Sequence, residues 1–532
     1  MKIIILFVLL NIIRTAPCFS QAPAIQWQKS FGGSGEDIAK AVVQTPDGGY
    51  VFGGDTNSSN GDVVGYEWSY SVLRRDYWIV KTDANGVIEW QKLYGGFYND
   101  LLTSIKITSD GGFIVSGYSE SSDGDVALHI GNYDYWILKL DASGDIEWQK
   151  TLGGSSEDYA TNILQTADGG YLAIGHTKSI NGNVTGNHGL FDIWIVKMNI
   201  LGVIEWKKAF GGSNDDKISD AYANYSIVQT TEGGYIFTGK TKSTDGDITS
   251  NQGLNDVWVV KINGLGVIEW QKTFGGTSDD FGQSVIQTAD GNYVITAGSA
   301  SNNGDFTSNL GATDLWVIKI NSTGNIIWKS SFGGSNSESY QYSSLIETSD
   351  NGLLICSYTT STNNDATGNH SYGSPDAWLV RLNSDGVKQW HKCFGGRNWD
   401  GAHQVIRTND NGYMIAGYNS AHHDPSGADW TVNNGTYDAW LIKLEPEALA
   451  SAEFAGNKQL VVFPNPSKDI LYIKSLNDDI FSKVIISDAS GKTMIAKTEN
   501  LSDINIANLS NGLYFIQAFS ENAIFTSKFV KQ

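Results

Sequence analysis

The chain has 532 residues, 40% hydrophobic, 12% aromatic and only 17% charged, too apolar for a disordered chain and too poor in charge for a coiled coil. Its net charge of −21 repels phosphate backbones and anionic lipid, which argues against nucleic acid as a partner. Sixty Gly against eight Pro, with 17 Trp and 24 Tyr, predicts many short strands joined by tight turns, since Gly supplies the positive φ of hairpin loops.

Residues 1–20 carry Lys2, an apolar run from Ile3 to Ile13, and Cys18 and Ser20 at positions −3 and −1 of a cleavage before Gln21. This is the composition of a secretory signal peptide. Lipidation at Cys18 is the weaker alternative, because Thr15-Ala16-Pro17 lacks the Leu and small residues of a lipobox. The apolar run is too short to span a bilayer permanently, and no later stretch is longer, so no transmembrane segment is expected.

From Gln21 to Leu444 the sequence repeats itself. An Ile-x-Trp element followed by Gly-Gly recurs seven times, with Lys388 in place of Ile in the last copy, and its tryptophans from Trp27 to Trp390 have a mean spacing of 60.5 residues. A second element, Asp-x-Trp, recurs from Asp76/Trp78 to Asp438/Trp440. Each unit reads as four strands, as in Gln283 to Thr288, Tyr293 to Gly298, Leu315 to Ile320 and Ile326 to Phe332. Asp-Gly-Gly-Tyr, as at Asp47 to Tyr50, joins the first two, and Asp-x-x-Gly, as at Asp83 to Gly86, joins the last two. The expected fold is all-β, a seven-bladed propeller. Trp440 lies on a third strand with no fourth after it, while an orphan fourth strand, Ile25 to Lys29, opens the first unit. The N-terminal strand is therefore expected to complete blade seven in a 3+1 closure that leaves no exposed edge.

The repeat residues suggest both structural and functional roles. Tryptophans that recur in every blade fit packing between blades, and the aspartate of Asp-x-Trp fits acceptance of backbone N–H groups. Four residues after each second Gly stands a further acid: Asp37, Asp100, Asp158, Asp216, Asp280, Glu338 and Asp400. These acids share one face with the long loop between the second and third strands, and are expected either to form an acidic ring on a working face or to cap turns. Asn/Asp-Gly-Asp in the long loops, including Asp123, Asp125, Asp245 and Asp247, is a candidate Ca²⁺ set or a plain turn. No other cofactor is expected.

Three tryptophans stand outside the repeat: Trp68, Trp399 and Trp430. Blades one and seven are neighbours once the ring closes, which puts these tryptophans in one sector with Tyr66, Tyr70, His422 and His423. Aromatic rings beside carboxylates suit sugar stacking, and a loop minicore is the competing reading. His422-His423-Asp424 lacks a spaced partner for a metal. Nucleophile elbows, phosphate loops and His-Glu-x-x-His are absent from the sequence, and carboxylates are too numerous to single out a catalytic pair. Cys356 and Cys393, on the second and fourth strands of one blade, are expected to be free thiols because the third strand separates them.

Residues 445–458 are a linker rich in Ala and Glu. Residues 1–20 carry +2 and residues 455–532 carry +1, so the stretch between carries −24. A different domain, 459–532, follows the linker. The hairpin from Lys81 to Trp90 resembles the tryptophan-docking motif of quinoprotein-type propellers with a gap one residue shorter, and is more distantly similar to the sialidase Asp-box. With only six Arg in the chain, neither activity is implied. The stretch Val462-Phe463-Pro464-Asn465-Pro466, Asp469 to Ile473, Ser487 to Lys492 with Gly491, Leu509 to Tyr514 with Gly512, and Lys528 to Lys531 resembles the type A sorting domain of type IX secretion. That resemblance implies a small β-sandwich, handling by the outer-membrane export machinery and a sortase-like protease, and delivery outside the cell or onto its surface. The expected product is a monomeric exported propeller that binds a glycan or surface protein. A polysaccharide hydrolase or lyase using carboxylates on the same face, and a purely structural surface protein, are the alternatives.

Overall fold

Short side-chain caps make the repeated turns. Asp47 Oδ1 accepts the Gly49 N–H at 2.9 Å while Gly48 takes φ +88°, and Asp83 Oδ1 accepts the N–H groups of Asn85 and Val87, each at 2.8 Å, while Gly86 takes φ +73°. Each pair of flanking strands is thereby set in register. The computed structural model describes residues 21–65, 74–218, 226–339, 343–370, 373–420, 428–430, 433–447, 460–475, 480–488, 492–520 and 524–532. The expected signal peptide, most of the expected linker, and Tyr66, Trp68, Tyr70, His422, His423 and Gly491 lie outside the described residues.

Among the described residues the repeat region forms seven antiparallel sheets of the four-strand plan. Blade two is representative: Asp100–Ile107, Phe113–Ser119, Asp134–Leu140 and Ile146–Leu152 pair in chain order. The first strands of neighbouring blades contact one another around the ring and are innermost. Blade seven is completed by Ile25–Phe31, which pairs antiparallel with Asp438–Leu444 and sets Ser30 opposite Trp440. Blades one and seven then meet directly: the Asn409 N–H donates to Gln44 Oε1 at 2.7 Å, and His403 Nδ1 lies 3.1 Å from the Ala39 carbonyl.

The two tryptophan sets do different work. Third-strand tryptophans such as Trp78 and Trp136 are fully buried between sheets. Fourth-strand tryptophans other than Trp390 are half-buried and lie on the hairpin of the next blade, where the indole N–H of four of them donates to a backbone carbonyl, as Trp27 to Ala84 at 3.2 Å and Trp270 to Ser322 at 3.0 Å. A Cβ on the turn glycine would meet the ring, 3.0 Å from Trp27 at Gly86 and 3.0 Å from Trp90 at Gly144. Blade seven has no such hairpin, because its fourth strand is the N-terminal one. Glu447 takes that place, accepting from Trp390 Nε1 at 3.2 Å and from Arg381 Nε at 2.8 Å. Accordingly the compact unit extends to Glu447 rather than ending at Leu444, with the Glu445 N–H donating to Ala24 at 2.9 Å.

The second compact unit, described from Leu460, holds two sheets. Leu460–Phe463, Ile470–Ser475 and Asp503–Asn505 form one, and Lys483–Asp488, Thr493–Lys497, Gly512–Phe519 and Ile524–Lys531 form the other. Leu471, Ile486, Ile504, Ile516 and Phe529 fill the core of this unit. Its Pro464-Asn465-Pro466 segment is tied to the last strand: Asn465 Oδ1 accepts the Val530 N–H at 2.9 Å and the Ser467 N–H donates to the Val530 carbonyl at 2.9 Å. Gly512 pairs with Lys531, and Tyr514 stacks on Phe529 at 5.6 Å. Asn465, Gly512 and Tyr514 of the sorting motifs thus meet the final strand.

Two measurements test this architecture. Gly144→Ala forces a side chain into φ +81° against Trp90, and is expected to cost about 2 kcal/mol in urea unfolding of the secreted chain. Cys356 and Cys393 are both free and buried, so thiol titration should find two reactive sulfhydryls only after denaturation.

Candidate functional site

The ends of the blades where first strands begin carry the connectors between blades and the long loops. Each connector is Gly-Gly followed by the acid singled out in the sequence, and the structure buries all seven of those acids. Asp37 Oδ2 accepts the Gly33 N–H at 2.8 Å and the Ser58 hydroxyl at 2.7 Å, while Oδ1 accepts from Thr56. Asp100, Asp158, Asp216, Asp280 and Glu338 each take the N–H of the second Gly at 2.7 to 2.9 Å, and all but Asp100 also accept a hydroxyl on the other oxygen. Asp400 takes the Gly396 N–H at 2.6 Å and the Ser420 N–H at 3.0 Å. Their own amides donate back to the preceding blade, as in Asp37 to Tyr437 at 2.8 Å and Asp158 to Tyr133 at 2.7 Å. A ligand-facing acidic ring is therefore the wrong reading of these residues: capping buried amides needs the carboxylate inside.

The Asn/Asp-Gly-Asp loops have a second job as well. Asp123 Oδ1 accepts the Phe97 N–H at 2.8 Å and Asp125 Oδ2 the Gly95 N–H at 3.1 Å. Asp245 and Asp247 cap Ser213 and Gly211 in the same way, at 2.8 and 3.1 Å. These loops dock onto the connectors through the oxygens that would serve a metal. Among the described residues no three His, Cys, Asp or Glu side chains form a metal-holding group.

The tryptophan sector divides. Trp399 is 56% exposed, whereas Trp430 is 4% exposed and packs within the core of blades six and seven, over Gly396. Trp430 is a plug, and its burial removes it from any stacking platform. Apolar packing of a ring delivered by a long loop competes with display of that ring, and a single sequence does not distinguish the two.

A different sector gathers aromatic side chains at this end. Tyr118, Tyr133 and Tyr159, from the second blade and the start of the third, lie with ring centroids 4.9 to 5.5 Å apart. His176 and Phe191 extend the group, at 5.3 and 6.3 Å from Tyr159 and 5.4 Å from each other. Lys217 Nζ sits 4.1 Å over the Phe191 ring and Lys178 Nζ 5.6 Å from it. Glu157 pairs with Lys178 at 3.5 Å, and Glu120 accepts from Asn99 at 3.0 Å. The tyrosines and Phe191 are half-buried, so part of each face reaches solvent. Burial and the nearby Glu157 push the Tyr159 hydroxyl up to about 12, which keeps it a neutral donor at any physiological pH. Beside this group, Arg74 lies 3.9 Å over Phe97 and 4.7 Å over Tyr98, which are 39% and 45% exposed.

These aromatic positions vary among the blades, although the Tyr118–Tyr133 pair recurs in blade seven as Tyr418 and Tyr437. The residue paired with Tyr159 in blade three is His176, while the equivalent pairs are Leu101 with Tyr118 in blade two and Phe281 with Gly298 in blade five. Variation among the blades of this one chain separates two classes of position: constant ones hold the ring together, and variable ones at this end differ from blade to blade.

Residues 461–532 match the family of secretion system C-terminal sorting domains. This tail marks the chain as cargo for type IX secretion, addressed to the cell surface or exterior and handled by that machinery. Among the described residues no helix is long and apolar enough to cross a membrane. Part of the chain is 26% identical over 214 residues to the regulatory protein FlaEY of Caulobacter vibrioides, covering 36% of this chain and only 21% of that protein's length. Similar folds include the Pan2 WD40 domain of Neurospora crassa, with 8% identity, coverage of 79% of this chain and 97% of that one, and a TM-score of 0.38. An ancestral GH74 enzyme shows 12% identity, 95% and 64% coverage, and 0.41. An α-L-arabinofuranosidase of Fusarium graminearum shows 9%, 64% and 93%, and 0.36.

If the connector acids are caps, Asp280→Ala should lower stability by about 3 kcal/mol through the loss of charge-assisted bonds. Urea unfolding of the secreted chain measures that loss.

Proposed function

We propose that the chain is an exported, non-enzymatic binding protein whose ligand, a glycan or a surface protein, is taken at the aromatic sector of blades two and three. The supporting observation is the cluster of half-buried rings Tyr118, Tyr133, Tyr159 and Phe191, backed by the buried His176 and edged by Glu120, Glu157 and Lys178. Half-exposed rings offer apolar faces to a pyranose ring or an aliphatic side chain, and the flanking carboxylates and ammonium groups take hydroxyls or charges. The long loops docked by Asp123 and Asp125 hold the rim in place, so such a site is preorganised and loses little entropy on binding. Hydrolase or lyase chemistry has less support, because the seven connector carboxylates are committed to internal caps. Trp399 on blade seven is a separate exposed ring outside this sector.

A glycan array and a cell-surface protein panel, each probed with the secreted chain in calcium and in chelator, test the reading. Tyr159→Ala with Phe191→Ala is expected to weaken binding by about tenfold or more, as for a buried aromatic anchor. Trp399→Ala should leave binding within about twofold of the unmodified chain. Equal loss from both changes, or release of reducing ends from a polysaccharide, would defeat the proposal.

A further inference from the structure

The aspartates of Asp-x-Trp are buried at every blade junction: Asp76, Asp134, Asp192, Asp256, Asp314, Asp376 and Asp438 are each 0 to 4% exposed. One oxygen of the carboxylate, Oδ2, accepts long-loop N–H groups where the loop is described, as from Ile130 to Asp134 at 2.7 Å and from Leu310 to Asp314 at 2.7 Å. The other, Oδ1, is buried without a hydrogen-bond partner in all seven. Such orphaned acceptors are rare and costly, and a sevenfold repetition is a property of the design.

Six of the seven orphans face the connector glycine of the next blade, and at five of these glycines a second carboxyl group approaches the same point. The place where a Cβ on Gly95 would sit lies 2.6 Å from Asp76 Oδ1 and 2.8 Å from Asp100 Oδ2; on Gly153 it lies 2.1 Å from Asp134 Oδ1 and 2.6 Å from Asp158 Oδ2. Gly211, Gly333 and Gly395 place Asp192 with Asp216, Asp314 with Glu338 and Asp376 with Asp400 in the same manner. Two carboxyl groups thus converge on one glycine. The long loop adds a third polar side chain, Asp125 at the first of these junctions and Asn183 at the second, through its cap on the glycine N–H. At the Asp76 junction the charged groups acting on Asp76 are Asp100 and Asp125, while Arg75 turns to Glu36 and Asp55. At Asp134, Asp192 and Asp376 a histidine, His129, His188 or His370, faces Oδ2 at 3.6, 2.7 and 2.6 Å, leaving Oδ1 unchanged.

Two species could neutralise such a pair, a cation or a proton. A calcium ion needs six to eight oxygens and room for them. Here the glycine Cα fills the gap so closely that a methyl group would collide, and the partner oxygens already accept N–H and O–H donors. A proton needs no room, and it turns the orphaned acceptor into a donor. We propose that each blade junction holds a shared proton, carried on Oδ1 of the third-strand aspartate and donated to the first-strand carboxylate of the next blade.

Ionisation releases that proton to water and leaves two buried carboxylates facing each other across the glycine. Burial, reinforced by the neighbouring carboxylates, pushes Asp76 up to about 8 and Asp314 and Asp438 to about 7. Because the folded chain binds these protons more tightly than the unfolded one, their stabilisation is complete below the ordinary carboxylate range. It is lost as pH rises through the folded values.

Infrared spectra and thermal unfolding of the whole secreted chain test the proposal. The folded chain at about pH 6, below these folded values, should show the C=O stretch of a protonated carboxyl group, a band that disappears on unfolding. Its Tm should fall as pH rises from about 5 to about 8. Asp76→Asn replaces the O–H with an N–H₂ donor; it should remove one carboxyl's share of the band and lessen the alkaline loss of Tm. Should that variant misfold, Asp256→Asn and Asp438→Asn report on other junctions, and the spectrum of the unmodified chain stands by itself. Absence of the band in the folded chain would overturn the proposal. So would a Tm at alkaline pH that calcium raises and chelator lowers, which would put a metal ion in the junction instead.

Discussion

The Gly-Gly connector is the constraint on which the propeller depends. A chain leaving the outer edge of one sheet must cross to the inner edge of the next without secondary structure, and its buried amides must still be bonded. The connector is satisfied from three sides: by its own acid four residues later, by the Ser or Thr ending the second strand through that acid, and by the docked long loop. Asp37, Ser58 and Asn60 show the set, capping the N–H groups of Gly33, Gly35 and Ser34. The acid's own amide bonds the previous blade, so one short segment fixes both the local turn and the angle between sheets. Glycine is required here because side-chain oxygens occupy the space of a Cβ.

The two ends of each blade solve the problem of buried charge in opposite ways. At the hairpin end a buried lysine takes two carboxylates, as Lys139 does with Asp110 at 2.9 Å and Glu147 at 2.8 Å. Those bonds hold Asp110 down at about 2 despite the cost of burial. At the connector end, carboxylates meet with no lysine or arginine between them among the described residues, and desolvation carries Asp100 up to about 6. Acid therefore weakens the hairpin ends while alkali weakens the junctions, which places the optimum of the ring on the mildly acidic side of neutral.

The face built on the connectors is rigid where the blades agree and variable where they differ. Caps occupy the constant positions, and Tyr118, Tyr159, His176, Phe191 and Trp399 occupy the variable ones. Recognition placed on such a frame needs no motion of the sheets. The tail is a separate device: in it Pro464-Asn465-Pro466 and the final strand form one surface through Asn465, so the residues that mark an export signal are held together by backbone bonds of the last few residues.

Periodicity was enough to show the strands, their order, the seven sheets and the spare strand Ile25–Phe31, since each depends on spacing and turn chemistry within about sixty residues. The sorting tail was equally legible, being a run of short motifs in fixed order. The sequence also placed Cys356 and Cys393 apart, because strand order alone separates them. Burial was the quantity it lacked. Asp100 caps the Gly96 amide only four residues away, yet whether that acid is buried, and whether Trp430 is displayed or buried, depends on the docked long loops and neighbouring blades that close over the junction. An aspartate has the same formula in both settings; only the tertiary structure supplies the donors around it, and those donors decide what it does.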